Sequence, residues 1–218
     1  MHQNLSLPID YMIYIAKGCF VTLEYSLLSV FFGLIIGIVL SICKVSNRFI
    51  ARFFADVYTS IFRGTPLLIQ LGIIFFGLPS IIGVKLYPLT AGVIAFSLNS
   101  GAYVSEIIRA GINSIDKGQF DAAKSLGISS YRTMIDIILP QAIRNILPSL
   151  VNELTNLIKE SAIISLIGAN DLRQRADFVA HQTYDYFTPM IIAALYYYIL
   201  VFIAGSAGRF LESRLKLQ

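Results

Sequence analysis

Four long windows without a charged side chain constrain this chain more than any other feature of its sequence. They are Tyr25–Cys43, Gly64–Val84, Leu86–Ser105 and Tyr186–Gly208. An α-helix needs about 20 mostly apolar residues to cross about 30 Å of hydrocarbon. Only 14% of the 218 residues are charged, whereas roughly 25% is usual in soluble domains. The sequence therefore predicts an all-α integral membrane protein.

A fifth span is predicted near residues 148–168, although this segment is more polar than the others. It carries Glu153 and Glu160, and it ends in the apolar run 162–168. The start of the chain lacks the basic region and cleavage site of a signal peptide, so the first apolar segment is expected to be retained. The prediction is a single transmembrane domain over residues 1–218, with its two termini on opposite sides of the membrane.

The distribution of lysine and arginine predicts the orientation. Basic residues number three in segment 44–52, five in 109–144 and three in 209–218. The other side holds four, and two more lie within spans. Because cytoplasmic loops are enriched in Lys and Arg, we expect the N-terminus outside and the C-terminus in the cytoplasm. Residues 169–187 then form an external loop.

Composition and motifs argue against several other classes of protein. The net charge is +4, but the basic residues are scattered between apolar runs, so no nucleic-acid partner is expected. Cys19 and Cys43 would lie about 36 Å apart on one helix, too far for a disulfide. His181 has no histidine or cysteine near it, so we predict no metal site. The chain has no G-x-x-x-x-G-K-[ST] loop, and we expect it to bind no cofactor itself.

A polar segment, residues 113–140, separates the third and fourth predicted spans and would lie on the cytoplasmic side. Gln119–Leu126 has the composition of a short helix, in which Phe120, Ala123 and Leu126 share one face. Such a helix can rest on lipid headgroups or dock on a soluble partner. The pattern alone favours neither reading.

The end of this short helix is also predicted. Gly127 is a suitable stop residue. A second helix is expected to begin with Ser129 or Ser130 as its N-cap. Pro140 is expected to end or bend that helix where it rejoins the membrane.

The loop resembles the E-A-A, three, G, nine, I-x-L-P loop in the permease subunits of ABC-type importers. The matching residues are Asp121-Ala122-Ala123, Gly127 and Ile137-Ile138-Leu139-Pro140. Aspartate stands at position 121 where glutamate is usual, which keeps the charge and shortens the side chain by one methylene. Three further segments resemble the polar amino-acid branch of these permeases: residues 63–70, 100–112 and 157–163.

The resemblance implies a type I ABC importer permease fold with five transmembrane helices and a coupling-helix loop between helices 3 and 4. It implies that the chain is not an enzyme and lies in the bacterial cytoplasmic (inner) membrane, in contact with lipid. The implied partners are a second permease copy (identical or paralogous), two cytoplasmic ABC ATPases that bind ATP and Mg, an extracytoplasmic solute-binding protein and an amino-acid substrate. The residues expected to engage the ATPase are Phe120, Asp121, Ala122, Ala123 and Gly127.

Polar residues within the spans are candidates for a substrate site, because ionisable groups there are costly unless they serve a function. Glu160 and Asn99 are expected near the membrane midplane, where transporters commonly bind substrate. We hypothesise that Glu160 binds the substrate's ammonium group or a cationic side chain. Asn99, with Ser97 or Ser100, would bind its polar ends. The alternative is that these polar groups only hold helices together.

The second predicted span contains an interruption that is either a static kink or a moving gate. Arg63 and Pro66 place a charge and a helix breaker close together. The carbonyl freed by Pro66 is expected to bind Arg63, Thr65 or water. Gln70, one turn beyond, and Asn156 in the fourth span are further candidates to line the pathway.

A competing hypothesis is a proton-coupled secondary transporter. In that case Glu106, Glu153 or Glu160 would relay protons through the spans. Glu153 and Glu160 are spaced to share one helical face with Asn156. A membrane enzyme is disfavoured, because no nucleophile and base stand at a convincing spacing.

Overall fold

Helices make up nearly all of the part of the chain that the computed structural model describes, residues 8–46 and 48–216. No strand occurs in these residues, and the predicted all-α class is confirmed. The helices are α1 Pro8–Ala16, α2 Gly18–Val45, α3 Phe49–Gly64, α4 Leu67–Ile82, α5 Pro88–Asn113, α6 Lys117–Ser125, α7 Ser130–Ile167, α8 Leu172–Thr183 and α9 Phe187–Lys216.

Four helical segments are each long and apolar enough to cross a membrane. They are Ile9–Val45, Pro88–Asn113, Ser130–Ile167 and Phe187–Arg214. Helices α3 and α4 meet the same test only as a pair, and they are bent by 102° at the break between them. Counted as one broken span, this pair gives the five spans predicted from the sequence.

The predicted second span, Gly64–Val84, is wrong at its start. Helix α4 begins at Leu67, because Pro66 has no N–H to donate and Thr65 before it is extended (φ −121°, ψ 145°). Helix α3 fills residues 49–64, which include part of segment 44–52, predicted to be a loop. Hydropathy missed α3 because its polar residues interrupt every apolar window, although they lie on one side of an amphipathic helix.

The fourth span is longer than predicted and continues through Pro140. The helix begins after Ser129, whose Oγ accepts a hydrogen bond from the Arg132 N–H at 3.4 Å, which confirms Ser129 as the N-cap. Pro140 was predicted to end or bend this helix, and it does not end α7, which continues to Ile167. A π-helical stretch over Thr133–Ile138 precedes it, and such wider turns accommodate a residue that lacks an N–H.

Segment 169–187, which was predicted to be an external loop, contains α8. Its N-cap is Asp171, whose Oδ1 accepts from the Gln174 N–H at 2.9 Å. The apolar side of α8 presents Leu172 and Val179, both fully buried, to α1 and α9. The helix was missed because twelve residues with charged positions between the apolar ones do not form a hydrophobic window.

The main interhelical contact joins α2 to α5. Gly33 and Gly37 of α2 lie against Ser100 and Val104 of α5. A Cβ atom on Gly37 would fall 2.4 Å from Val104 Cγ1, so the backbones approach more closely than any larger residue permits. This G-x-x-x-G pattern therefore serves packing within the chain.

Candidate functional site

The break between α3 and α4 is held by two side-chain amides. Gln70 Nε2 lies 2.9 Å from the Phe62 carbonyl oxygen, 3.1 Å from the Thr65 carbonyl oxygen and 2.8 Å from Thr65 Oγ1. Asn99 Nδ2, from α5, donates to the same Phe62 oxygen at 2.9 Å and to Gln70 Oε1 at 3.0 Å. Phe62 is the residue whose carbonyl loses its helical partner because Pro66 has no N–H.

The partners of this freed carbonyl differ from the prediction. Thr65 Oγ1 donates to the Ile61 carbonyl instead, and Arg63 turns toward Glu106. Asn99 and Gln70 are only 5% and 6% exposed. The structure brings these two predicted pathway residues together, and it engages their amide groups in stabilising the bend.

The two predicted serines lie inside the helix packing. Ser100 is fully buried where α5 meets Gly33 of α2. Ser97 is 4% exposed and borders an apolar groove formed by α2 and α5. In this conformation neither hydroxyl lies at the surface of the chain.

Glu160 and Asn156 lie on a different, exposed surface of α7. Together with three other exposed polar residues they form a line along the helix that we call the polar stripe: Asn145, Ser149, Asn152, Asn156 and Glu160. Glu153 does not share this face as predicted, because it turns inward and is only 9% exposed. No hydrogen bond or ion pair joins Glu160 to Asn99 within the described residues.

The sequence did not predict an ion cluster that joins α2, α3 and α5. The Glu106 carboxylate contacts Lys44 Nζ, Arg109 Nη2 at 2.7 Å and Arg63 Nη1 at 3.9 Å. The Lys44 side chain is 3% exposed and also donates to Thr59 Oγ1 at 2.9 Å. Lys44 was counted as a loop residue, and its position at the end of an apolar helix was the missed signal.

Helix α6 confirms the short helix predicted in the polar segment between the third and fourth spans. Asp116 caps it by accepting a hydrogen bond from the Gly118 N–H at 2.6 Å. Gly127 follows its end with φ +73°, and the Ile128 N–H bonds back to the Ala123 carbonyl at 3.0 Å. This is the glycine-terminated cap expected from the pattern.

The two faces of α6 have different roles. Phe120 packs into an apolar cluster formed by the end of α5 and the start of α7, and Ala123 is buried. Asp121 and Ala122 are exposed. Leu126 was predicted on the buried face but is 78% exposed, because the helix ends at Ser125 and position 126 leaves the helical register.

Hydrogen bonds also fix the loop to α7. Gln119 and Gln141 exchange amide hydrogen bonds of 3.0 and 2.6 Å. Asn145 Nδ2 donates to Ser114 Oγ at 2.9 Å, which ties α7 to the end of α5. The loop that contains α6 is therefore attached to α7, and α7 is attached to the end of α5.

A buried carboxylate lies at the opposite end of the molecule. Asp171 is fully buried, and its Oδ2 accepts a hydrogen bond from the Tyr197 hydroxyl at 3.0 Å. Burial raises the pKa of Asp171 to about 6, against the opposing effect of its hydrogen bonds.

Within the described residues, no group of three His, Cys, Asp or Glu side chains is arranged to hold a metal ion.

Comparison with known proteins places this geometry in a family. Residues 29–217 match the family model described as "Binding-protein-dependent transport system inner membrane component". The chain belongs to this family. The match includes the whole of α3 to α8, and it confirms the resemblance to ABC importer permeases on which the fold prediction depended.

Individual relatives agree with the family model. The putative glutamine transport system permease protein GlnP of Rickettsia bellii is 59% identical over 94% of both chains. The arginine transport system permease protein ArtQ of Bacillus subtilis is 50% identical over 99% of both. A crystal structure of an amino acid ABC transporter with histidines has 40% identity and a TM-score of 0.91, covering 98% of this chain and 100% of the other.

Proposed function

We propose that this chain is the translocation subunit of an ATP-driven importer for a polar or charged amino acid. The relatives named for glutamine and arginine transport support this substrate class. The observation that carries the coupling role is the position of α6, which is seated on both α5 and α7 and leaves Asp121 and Ala122 exposed. A proton-coupled carrier has no need of such a helix.

The working assembly would contain two permease chains, two cytoplasmic ABC ATPases and an extracytoplasmic solute-binding protein. ATP and Mg would bind to the ATPases. The excess of Lys and Arg in the segments near α6 and the C-terminus favours the cytoplasmic side for both. In this arrangement α6 sits in a groove on an ATPase, and closure of the ATPases on nucleotide moves the α5 and α7 ends to which α6 is attached.

The substrate would meet the polar stripe of α7. Glu160 is its one ionisable member, and a carboxylate at this depth attracts an ammonium or guanidinium group. Asn156, one turn away on the same face, would accept or donate hydrogen bonds to the polar ends of the substrate. Asn99 and Gln70 would not contact the substrate. They would hold the bent α3–α4 pair in place and so fix the position of the helices beside the pathway.

Reconstitution tests this function. The chain, its ATPase and its binding protein would be placed in proteoliposomes with ATP enclosed, and uptake of labelled L-glutamine and L-arginine would be measured. We expect uptake of one or both to require ATP and the binding protein and to survive a protonophore. Uptake that a protonophore abolishes, with ATP and the ATPase dispensable, would favour the secondary transporter.

A substitution at Glu160 tests its role in substrate binding. Glu160→Gln keeps the size of the side chain and removes its charge, so uptake and substrate-stimulated ATP hydrolysis should both fall. Glu24→Gln, on α2 and outside the polar stripe, serves as a matched control for loss of one carboxylate. Wild-type uptake and ATP hydrolysis by Glu160→Gln would remove Glu160 from the site.

A further inference from the structure

A cavity of about 690 Å³ lies between α5, α7 and the end of α9, at the same end of the molecule as α6. Its volume is in the range of small-molecule sites. The α5 side contributes Tyr103, Glu106 and Arg109, and the α9 side contributes Glu212. The cavity is separate from Glu160, which does not line it.

Guanidinium groups outnumber carboxylates in the lining. Arg63, Arg109 and Arg144 face the cavity, as do Glu106 and Glu212. Arg63 and Arg109 share the single carboxylate of Glu106, which also pairs with Lys44 of α2. The site therefore has basic groups whose charge is only partly neutralised.

Arg144 is the least engaged of the three arginines. Its side chain is exposed, and its guanidinium makes no ion pair or hydrogen bond within the described part of the chain. Arginine presents a planar fork of donors that matches a carboxylate in two parallel hydrogen bonds. The Arg144 guanidinium could therefore bind a carboxylate that enters the cavity.

The polar stripe connects the cavity to Glu160. Two of its members, Asn145 and Ser149, line the cavity. The stripe then continues up the same face of α7 through Asn152 and Asn156 to Glu160. Fifteen residues of α-helix separate its ends, a rise of about 22 Å.

We propose that this cavity is a second, inner substrate site, in which Arg144, with Arg63 and Arg109, receives the α-carboxylate of an amino acid after it leaves Glu160. The inference rests on the proposed function and adds to it a site on the release side of the pathway. The two sites are complementary: a carboxylate at Glu160 holds the cationic end of the substrate, and arginines in the cavity hold its anionic end.

Inhibition from the lumen of proteoliposomes tests this site. The importer would be reconstituted with its ATPases facing the lumen, and the lumen would be preloaded with increasing concentrations of whichever of L-glutamine or L-arginine is taken up. An inner carboxylate site predicts that the lumenal amino acid slows uptake of label from outside. The corresponding decarboxylated amine should be a much weaker inhibitor.

Variants assign the effect to the cavity. Arg144→Gln should raise the lumenal inhibition constant roughly tenfold, the effect of losing a hydrogen bond to a charged group. The apparent KM for substrate delivered by the binding protein should not change. Arg144→Lys should be intermediate, and Arg132→Gln, an exposed arginine outside the cavity, should behave as wild type. Ser149→Phe should weaken inhibition by filling the cavity without changing its charge.

Several results would overturn the inner site. They are an unchanged inhibition constant in both Arg144→Gln and Ser149→Phe, equal inhibition by the decarboxylated amine, and no inhibition of wild type at millimolar lumenal amino acid. Filling of the cavity by the second permease copy would produce this last result. These results differ from failure of the proposed function. If the proposed function is wrong, the wild type shows no ATP-dependent uptake even when the lumen contains no amino acid.

Discussion

Replacing Gln70 by leucine should weaken the whole fold, because it removes the amide that holds the bend between α3 and α4. The leucine has similar bulk but leaves the Thr65 carbonyl without the donor it has at 3.1 Å. The Phe62 carbonyl keeps Asn99 as its donor at 2.9 Å. The substitution removes the hydrogen bonds of the Gln70 amide to Phe62 and Thr65 and the one it accepts from Asn99. A hydrogen bond contributes about 0.5–1.5 kcal/mol to stability, and one between helices in a membrane about 0.6 kcal/mol on average. We expect a loss of about 2 kcal/mol.

The loss can be measured as thermal unfolding in detergent. Cys19 and Cys43 are free and partly buried, so a thiol-reactive fluorophore reports when the helices separate. For a chain of this length a loss of about 2 kcal/mol corresponds to a fall in Tm of about 4–8 °C. Gln182→Leu, at an exposed position on α8, is the matched control and should leave Tm unchanged.

A double-mutant cycle locates the effect. Gln70 and Asn99 donate to the same carbonyl, and Asn99 also donates to Gln70 Oε1, so their leucine variants should depart from additivity by at least about 0.5 kcal/mol. A wild-type Tm for Gln70→Leu, or strict additivity of the two changes, would refute the role assigned to the amide pair.

The remaining predictions concern packing, the ion cluster and pH. Gly18→Ala should lower Tm, since its Cβ would lie 2.5 Å from a backbone nitrogen of α8, whereas Gly72→Ala adds a methyl group to open space and should not. Glu106→Gln should cost about 1.5–3 kcal/mol, because it leaves the buried Lys44 with only Thr59 and the Asp56 carboxylate at 3.7 Å as partners. Glu106→Asp, which keeps the charge, should cost less in the same unfolding assay. Because burial raises the pKa of Asp171 to about 6, the folded state binds its proton more tightly than the unfolded chain does. Stability should rise as the pH falls from about 7 to about 5, and Asp171→Asn should abolish this slope.

The spans that hydropathy predicted are those with a long window free of charged side chains. Helices α2, α5 and α9 extend beyond their predicted windows but contain them almost completely. Length and the absence of charge are sufficient there, whether most of the helix surface is exposed, as in α2 and α9, or most of it is buried within the chain, as in α5. The short helix α6 was predicted from different signals, its composition, the spacing of its apolar residues and its glycine stop.

Two helices whose charged residues lie between apolar ones, α3 and α8, were missed. Both helices carry charged residues on one side. A sliding window averages the hydropathy of the polar and apolar sides, and the average is too low to indicate a span. Pro140 illustrates a second limit. A proline rule predicts a helix end, but the wider π turn before it allows α7 to continue.

The candidate site, too, could be predicted from the sequence only in part. Sequence spacing identified Asn99, Gln70 and Glu160 as polar groups within spans. It did not show that the first two bind the broken backbone near Phe62 while Glu160 lies on another surface. Contacts of this kind depend on the 102° bend, whose direction no local pattern specifies.

Cross-linking from α6 tests most directly whether this helix connects the permease to a motor. In a chain with Cys19→Ser and Cys43→Ser, a single cysteine would be placed at Ala122, and in a control chain at Asn170 near α8 on the opposite end. The account predicts that Ala122→Cys cross-links to the ATPase subunit with a nucleotide-dependent yield, and that the cross-link stops uptake. Absence of any cross-link at Ala122 in complexes that still import amino acid would contradict it.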